Sequence, residues 1–256
     1  MAYFERTAES AFRATSNVGG AWDPKTQHIS PALGLLAHII ELDRDGRRSD
    51  GLAIGRLSYD ILGTVPVEEF ETQVRVVRPG RTIELVEAAL QHGGRDVVLL
   101  RAWLLQTRDT HHIEGGALPR IAPPDEFPAW DPTTVWPGGF VASVDVRKVQ
   151  DEPGRASYWV RTDLPLVADE KVSRIASTVG LLDIANGMTV RERPDEVAFP
   201  NLDLTAHFFA EPSGDWVGFD TSVSFGPNGL GLTSSVIHDV SGPIGTSAQL
   251  LTVRPS

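Results

Sequence analysis

The sequence predicts an α+β protein made of two tandem units, each an antiparallel sheet wrapped around one long apolar helix. Three observations predict it: a repeat along the chain, an apolar helix in each half, and strands of alternating side chains after each helix. The chain has 256 residues, long for one domain and comfortable for two. Self-comparison gives an offset of 146 to 147 residues. Pro31-Ala-Leu-Gly-Leu-Leu-Ala-His-Ile39 aligns with Ser177-Thr-Val-Gly-Leu-Leu-Asp-Ile-Ala185, Leu57–Leu62 with Leu204–Phe209, and Leu85–Val97 with Leu232–Ile244. Each match is short, but their common order and spacing are the mark of a duplication.

The elements follow in chain order. Ser30 is a candidate helix cap, and Pro31 suits a first helical turn. The segment after it is apolar nearly all round until Glu41 and Asp43, which predicts a helix buried on every side. Arg44, Arg47 and Arg48, interrupted by Asp43, Asp45 and Asp50, read as a solvated loop rather than a phosphate-binding rim. Phe70, Thr72, Val74 and Val76 alternate with Glu69, Glu71, Gln73 and Arg75, a half-buried strand. Val97 to Leu105 is apolar apart from Arg101 and suits a central strand. Arg78-Pro79-Gly80 and His92-Gly93-Gly94 are hairpin turns. In the second half, Glu170 to Asn186 is the equivalent helix, closed by Asn186-Gly187, and Phe140–Val146 and Leu202–Phe209 alternate as strands. Each half thus holds one helix and about five strands of ordinary length. The expected division is residues 1–108, a linker 109–137 rich in Pro, Gly and Asp with Trp130 and Trp136 lying along the surface, and residues 138–256.

Composition narrows the function. Apolar residues make up 41% and charged residues 22%, enough for a packed core. A formal net charge of −11 without a basic patch argues against a nucleic-acid partner. The chain has no cysteine, so disulfides, thiolate metal sites and a Cys nucleophile are excluded. Glu5 and Glu9 without an apolar stretch predict no signal peptide, and Pro31–Ile40 is too short to span a membrane, so the expected compartment is the cytoplasm. His111-His112 lack a carboxylate at ligand spacing and read as loop, and no metal or other cofactor is expected. Gly226-Pro-Asn-Gly-Leu-Gly231 is followed by no helix and reads as a turn rather than a nucleotide-binding loop.

The chemistry-bearing residues collect in the second half. Strict alternation from Asn201 to Phe209 puts Leu202, Leu204, Ala206 and Phe208 on one face and Asp203, Thr205 and His207 on the other. The next strand divides Val217, Phe219, Thr221, Val223 and Phe225 from Asp220, Ser222 and Ser224. Ser247 and Gln249 share one face of a last, otherwise apolar strand, while the first half has Ala102 where the second has Gln249. Asp183, a carboxyl on the apolar helical segment, either hydrogen-bonds across the helix pair or faces an acyl pocket with a raised pKa.

Phe199-Pro-Asn-Leu-Asp203, the Ser/Thr strand after it, and Gly242-Pro-Ile-Gly-Thr-Ser-Ala-Gln249 through Val253-Arg254-Pro255 resemble the acyl-CoA thioesterase II family. Trp22-Asp23 and Gln27-His28 add to the likeness in the first half. The resemblance implies two fused hotdog units, a double hotdog, and hydrolysis of acyl-CoA or another acyl thioester, a reaction of fatty acid metabolism. In that family an Asp, a Ser or Thr and a Gln hold the attacking water. The family pattern carries these roles to Asp203, Ser224 (Thr221 as the fallback) and Gln249. The helix start, Gln27, His28 and Ile29, with Asp183 and His207, is the expected substrate-binding set. Relatives often have glycines before the first helix, where this chain has Gln27-His28-Ile29-Ser30-Pro31. A homodimer is expected, since exposed sheet edges seek partners. Two rival readings remain: a non-catalytic acyl-binding protein, and a hotdog hydratase using Asp203 and His207.

Overall fold

The computed structural model describes residues 1–23 and 25–255. Two short strands, β1 (Phe4–Arg6) and β2 (Ala11–Ala14), precede helix α1 (Ile29–Arg47). Then come β3 (Leu52–Ile61), β4 (Glu69–Arg78), β5 (Ile83–His92) and β6 (Arg95–Gln106). The second half holds β7 (Ala129–Trp130), α2 (Gly139–Ala142), β8 (Asp145–Glu152), β9 (Arg155–Arg161), α3 (Arg174–Val179) and α4 (Ala185–Met188). It ends with β10 (Val197–Ala198), β11 (Asp203–Phe208), β12 (Val217–Phe225), β13 (Leu230–Asp239), β14 (Gly242–Thr252) and β15 (Arg254–Pro255).

Thirteen of these strands form one antiparallel sheet, in the order β1-β2-β4-β5-β6-β3-β11-β14-β13-β12-β9-β8-β7. β3, β4, β5 and β6 recur as β11, β12, β13 and β14, so the order is mirrored about the β3–β11 join. The register of that join fixes the symmetry: Leu57 pairs with Ala206, Ser58 with Thr205 and Tyr59 with Leu204. Ser58 and Thr205 are equivalent residues, 147 apart, and their hydroxyls hydrogen-bond at 3.1 Å. The pseudo-twofold axis of the duplication therefore passes through that pair. The architecture is the expected double hotdog.

Each half-sheet curls around its helix. Leu33, Leu35, Leu36 and Ile40 of α1 are fully buried, each contributing about 1.5–3 kcal/mol by leaving water. The far end of α1 is held by Arg47 and Arg48, which pair with the buried Glu84 of β5 at 2.8 and 3.4 Å. α1 extends to Arg47, so Arg44 and Arg47 lie in its last turn rather than in a loop, where they favour the helix dipole.

Three local expectations are corrected. The second helix is not continuous over Glu170–Asn186. It is α3, a 3₁₀ turn at Leu182–Ile184 and α4, capped at its start by the Ser173 hydroxyl, which accepts from Ala176 N–H. The break lies where α1 crosses at backbone contact: a Cβ added to Gly34 would be 2.7 Å from Ala176 O and from Gly180 Cα. Phe140–Val146 is not one strand. Gly139–Ala142 forms a helical turn that packs under the first half, with Phe140 N–H donating to Gly19 O at 3.2 Å, and β8 begins only at Asp145. Consecutive burial of Phe140 and Val141 fits that turn and not a strand. Finally, His28 rather than Ser30 caps α1.

The segment between the halves is tied to the second sheet. Trp159 Nε1 donates to Ala122 O at 2.9 Å, Arg120 donates to Ser241 O at 2.5 Å, and Trp130 pairs with Val146 in the β7–β8 ladder. Among the described residues no helix is long and apolar enough to cross a membrane.

Candidate active site

The broken helix brings a carboxylate to the start of α1. Asp183 lies in the 3₁₀ turn, and its backbone N–H donates to the Ser30 hydroxyl at 3.1 Å. Its side chain is buried, with 4% exposure for the residue. Oδ1 accepts two amide hydrogen bonds, from Asn201 Nδ2 at 2.6 Å and from Gln249 Nε2 at 2.8 Å. Oδ2 faces His28 Nδ1 at 3.9 Å, beyond direct hydrogen-bond range. Burial pushes the Asp183 carboxyl up to about 7, opposed by the two amide donors. Burial likewise lowers His28 to about 4, so the ring is neutral near pH 7. Its Nδ1 accepts from Ser30 N–H at 3.3 Å, which assigns the ring hydrogen to Nε2, and the ring rests on Phe140 at 4.3 Å.

A backbone irregularity decides which residues of the second half reach Asp183. Asn201 bridges Leu251, and Thr205 pairs with Ala248. Four steps along one strand thus match three along the other, a β-bulge at Leu202–Asp203. The bulge inverts the alternation at its start. Asn201 turns inward toward Asp183, whereas Asp203 turns outward and accepts the Leu250 N–H at 2.6 Å. On the outer face Ser224 pairs with Leu232, and Leu232 with Leu250, so Asp203 and Ser224 lie along one outer row separated by two leucines. Gln249 belongs to the inner row with Thr233 and Val223. The fallback hydroxyl, Thr221, is also inward and fully buried, but it bonds Ser235 Oγ at 2.8 Å.

The residues singled out from sequence therefore divide. Asp183, His28, Ile29 and Gln27 line one cleft, and Gln249 stands behind it, bonded to Asp183. Asp203, Ser224 and His207 lie on the outer face of the sheet, His207 exposed and paired with Arg56. The cleft has a volume of about 160 Å³, and Asp183, His28, Ile29, Gln27, Asn186 and Asn201 contribute to its walls. Behind His28 it adjoins a pocket of about 30 Å³ under an aromatic group. There Trp22 lies 5.0 Å from Trp136 and 5.7 Å from Phe199, and Trp136 is fixed by its Nε1 donating to Gly187 O at 2.7 Å. Sequence reasoning missed Asn201 and the Trp22–Trp136–Phe199 group as site residues. Asn201 was hidden by the bulge, and the three aromatics are far apart in the sequence, so only the fold brings them together.

The arrangement suits water activation. A carboxyl titrating near 7 is matched to general-base work at neutral pH. Among the described residues Gln249 Oε1 is buried without a protein partner, so it is free to accept a hydrogen from a bound water. The first N–H of α1, that of Ile29, lies on the cleft at the positive end of a buried helix, where negative charge on a carbonyl oxygen is favoured, while the Ser30 N–H is taken by His28. Pro31 is the third helical residue, a position whose N–H would have no intrahelical acceptor in any case, so it does not disturb the turn. Among the described residues no cluster of three metal-ligating side chains occurs.

Comparison with known proteins gives the family and agrees with the fold. The C-terminal domain model of acyl-CoA thioesterases matches residues 119–253, and the N-terminal domain model matches residues 18–105. No curated protein matches the chain in sequence. Among solved structures, a hot dog protein of unknown function from Alicyclobacillus acidocaldarius superposes with a TM-score of 0.76 at 14% identity, covering 98% of this chain and 96% of that one. An acyl-CoA thioesterase II from Mycobacterium marinum gives 0.70 at 17% identity, over 99% and 96% of the two chains. The tesB protein of Mycobacterium avium subsp. paratuberculosis gives 0.67 at 17%, over 98% and 96%. At such identities these likenesses speak for the fold. The two domain models, meeting the two halves of the duplication in order, show that this chain belongs to the acyl-CoA thioesterase family.

Proposed function

We propose that the protein hydrolyses acyl-CoA-type thioesters to a free acid and a thiol, with Asp183 as the general base. The observation that carries this reading is the buried Asp183 carboxylate, held by Gln249 and Asn201 at a cleft that opens beside the first turn of α1. Asp183 Oδ2 takes a proton from water as the water oxygen attacks the thioester carbonyl. Gln249 orients that water and fixes Oδ1, while Asn201 supplies the second donor to Oδ1. The Ile29 N–H, at the positive end of α1, stabilises the oxyanion of the tetrahedral intermediate. Collapse of the intermediate breaks the C–S bond, and the proton held by Asp183 passes to the departing sulfur. Ion pairing plays no part in placing the base, because His28 is neutral at working pH.

The family pattern alone would put the base at Asp203 and the hydroxyl at Ser224. Both face away from the cleft, and the same outward placement of His207 disfavours the hydratase reading. The test is thiol release from acyl-CoAs by the wild type, Asp183→Asn and Asp203→Asn. Loss of two or more orders of magnitude in the first variant alone supports the assignment. Equal loss in both variants, or loss only in the second, overturns it. We further propose a homodimer using the outer row in which Leu232 and Leu250 pair, 49% and 44% exposed. Its mass in solution, and that of Leu232→Lys, tests this.

A further inference from the structure

We infer that the acyl group of the substrate is short, with no more than about six carbons or a single ring. This rests on the thioesterase reading of the cleft and names its substrate class. The observation is that the space beside Asp183 is small and is blocked on its inner sides. Its volume is about 160 Å³, and the pocket behind it adds about 30 Å³. An apolar cavity of about 150 Å³ accommodates benzene. A dodecanoyl chain carries twice as many carbons as benzene and does not fit the same space.

The two routes by which a longer chain could continue into the interior are closed. The first runs between the central helices. There Gly34 meets Gly180 and Ala176 at backbone contact, with no room even for a methyl group at 2.7 Å, and Leu33, Leu36 and Ile40 are fully buried around the crossing. The second runs past His28. It ends on the edge-to-face group of Trp22, Trp136 and Phe199, with Trp136–Phe199 at 5.8 Å and Phe199 backed by Phe225 at 5.6 Å. Trp136 cannot swing aside without losing its bond to Gly187 O. Trp22 is different: it is 49% exposed at the rim and forms the removable part of the wall. The same wall offers flat π faces to a short or ring-shaped acyl group, for which edge and face contacts are favourable. Trp22 and Trp136 are thus specificity-determining residues.

The decisive experiment reads binding, so that it does not depend on turnover. S-butyl-, S-hexyl- and S-dodecyl-CoA thioethers are titrated against the full chain, below micellar concentration, following tryptophan fluorescence. A Trp22→Ala titration and thiol release from matching acyl-CoAs, including benzoyl-CoA, run alongside. The expected result is S-hexyl-CoA binding at least tenfold more tightly than S-dodecyl-CoA, with that ratio falling at least tenfold in Trp22→Ala. Equal or tighter binding of S-dodecyl-CoA overturns the inference, as does an unchanged ratio in Trp22→Ala or failure of all three thioethers to bind. Thiol release separates the two levels. Hydrolysis fastest with dodecanoyl-CoA overturns the short-acyl inference and leaves the thioesterase reading standing. Selective S-hexyl-CoA binding without thiol release from any acyl-CoA supports the pocket size and overturns hydrolysis.

Discussion

Replacing Asp183 by Asn separates what this carboxyl does for turnover from what it costs the fold. In the folded protein burial raises its pKa from 3.8 to about 7. At 1.36 kcal/mol for each tenfold change in proton affinity, that is about 4 kcal/mol of preference for the neutral form. Because the folded pKa lies above the unfolded one, the folded state binds more protons between these values, and stability falls as pH rises from about 4 to about 7. Above that the full cost is incurred. Asn is neutral at every pH, and its amide oxygen can still accept from Asn201 and Gln249. Asp183→Asn is therefore more stable than the wild type by about 4 kcal/mol at pH 8 and by less than about 1 kcal/mol at pH 4. For a chain of this size that corresponds to a rise in Tm of roughly 8 °C or more at pH 8. The assay is thermal unfolding of both proteins at the two pH values, with thiol release measured in parallel. Stability gained while turnover is lost is the signature of a strained catalytic group. A Tm unchanged or lowered at pH 8, or a difference that does not narrow at pH 4, refutes the buried, raised carboxyl.

The same carboxyl sets the rate profile: kcat/KM rises with pH through about 7 as Asp183 ionises, and an inflection near 4 instead would point to an exposed base. Gln249→Leu removes one of the two donors that hold Oδ1, so turnover falls about 100-fold and the acid limb moves to higher pH; an unmoved limb contradicts the bond. Asp203→Ala leaves kcat within about tenfold of wild type but costs about 1–3 kcal/mol, read as a lower urea midpoint, because Leu250 N–H loses its acceptor at the bulge. Gly34→Ala places a methyl 2.7 Å from Ala176 O and Gly180 Cα and costs about 1–3 kcal/mol in the same assay; a neutral result would show a loose helix crossing.

The sequence by itself determined the α+β class, the duplication, the apolar helix α1 and the strands that follow it. It did so because those features rest on local periodicity and on repetition at a constant offset, and neither needs a neighbour in space. It also determined that a polar constellation belongs to the second half, since Gln249 stands in an apolar strand where the first half has Ala102. Tertiary structure decided which carboxylate joins Gln249. Alternation counted along the chain assumes one residue per step, and the bulge at Leu202–Asp203 breaks that count by inserting a residue against a partner strand invisible from the sequence. The break in the second helix is of the same kind: Gly34 and Gly180 are 146 residues apart, and only their contact in space ends α3 and turns Asp183 toward the start of α1. Register and helix crossing are set by pairs of distant segments, so a single strand of text carries half of each.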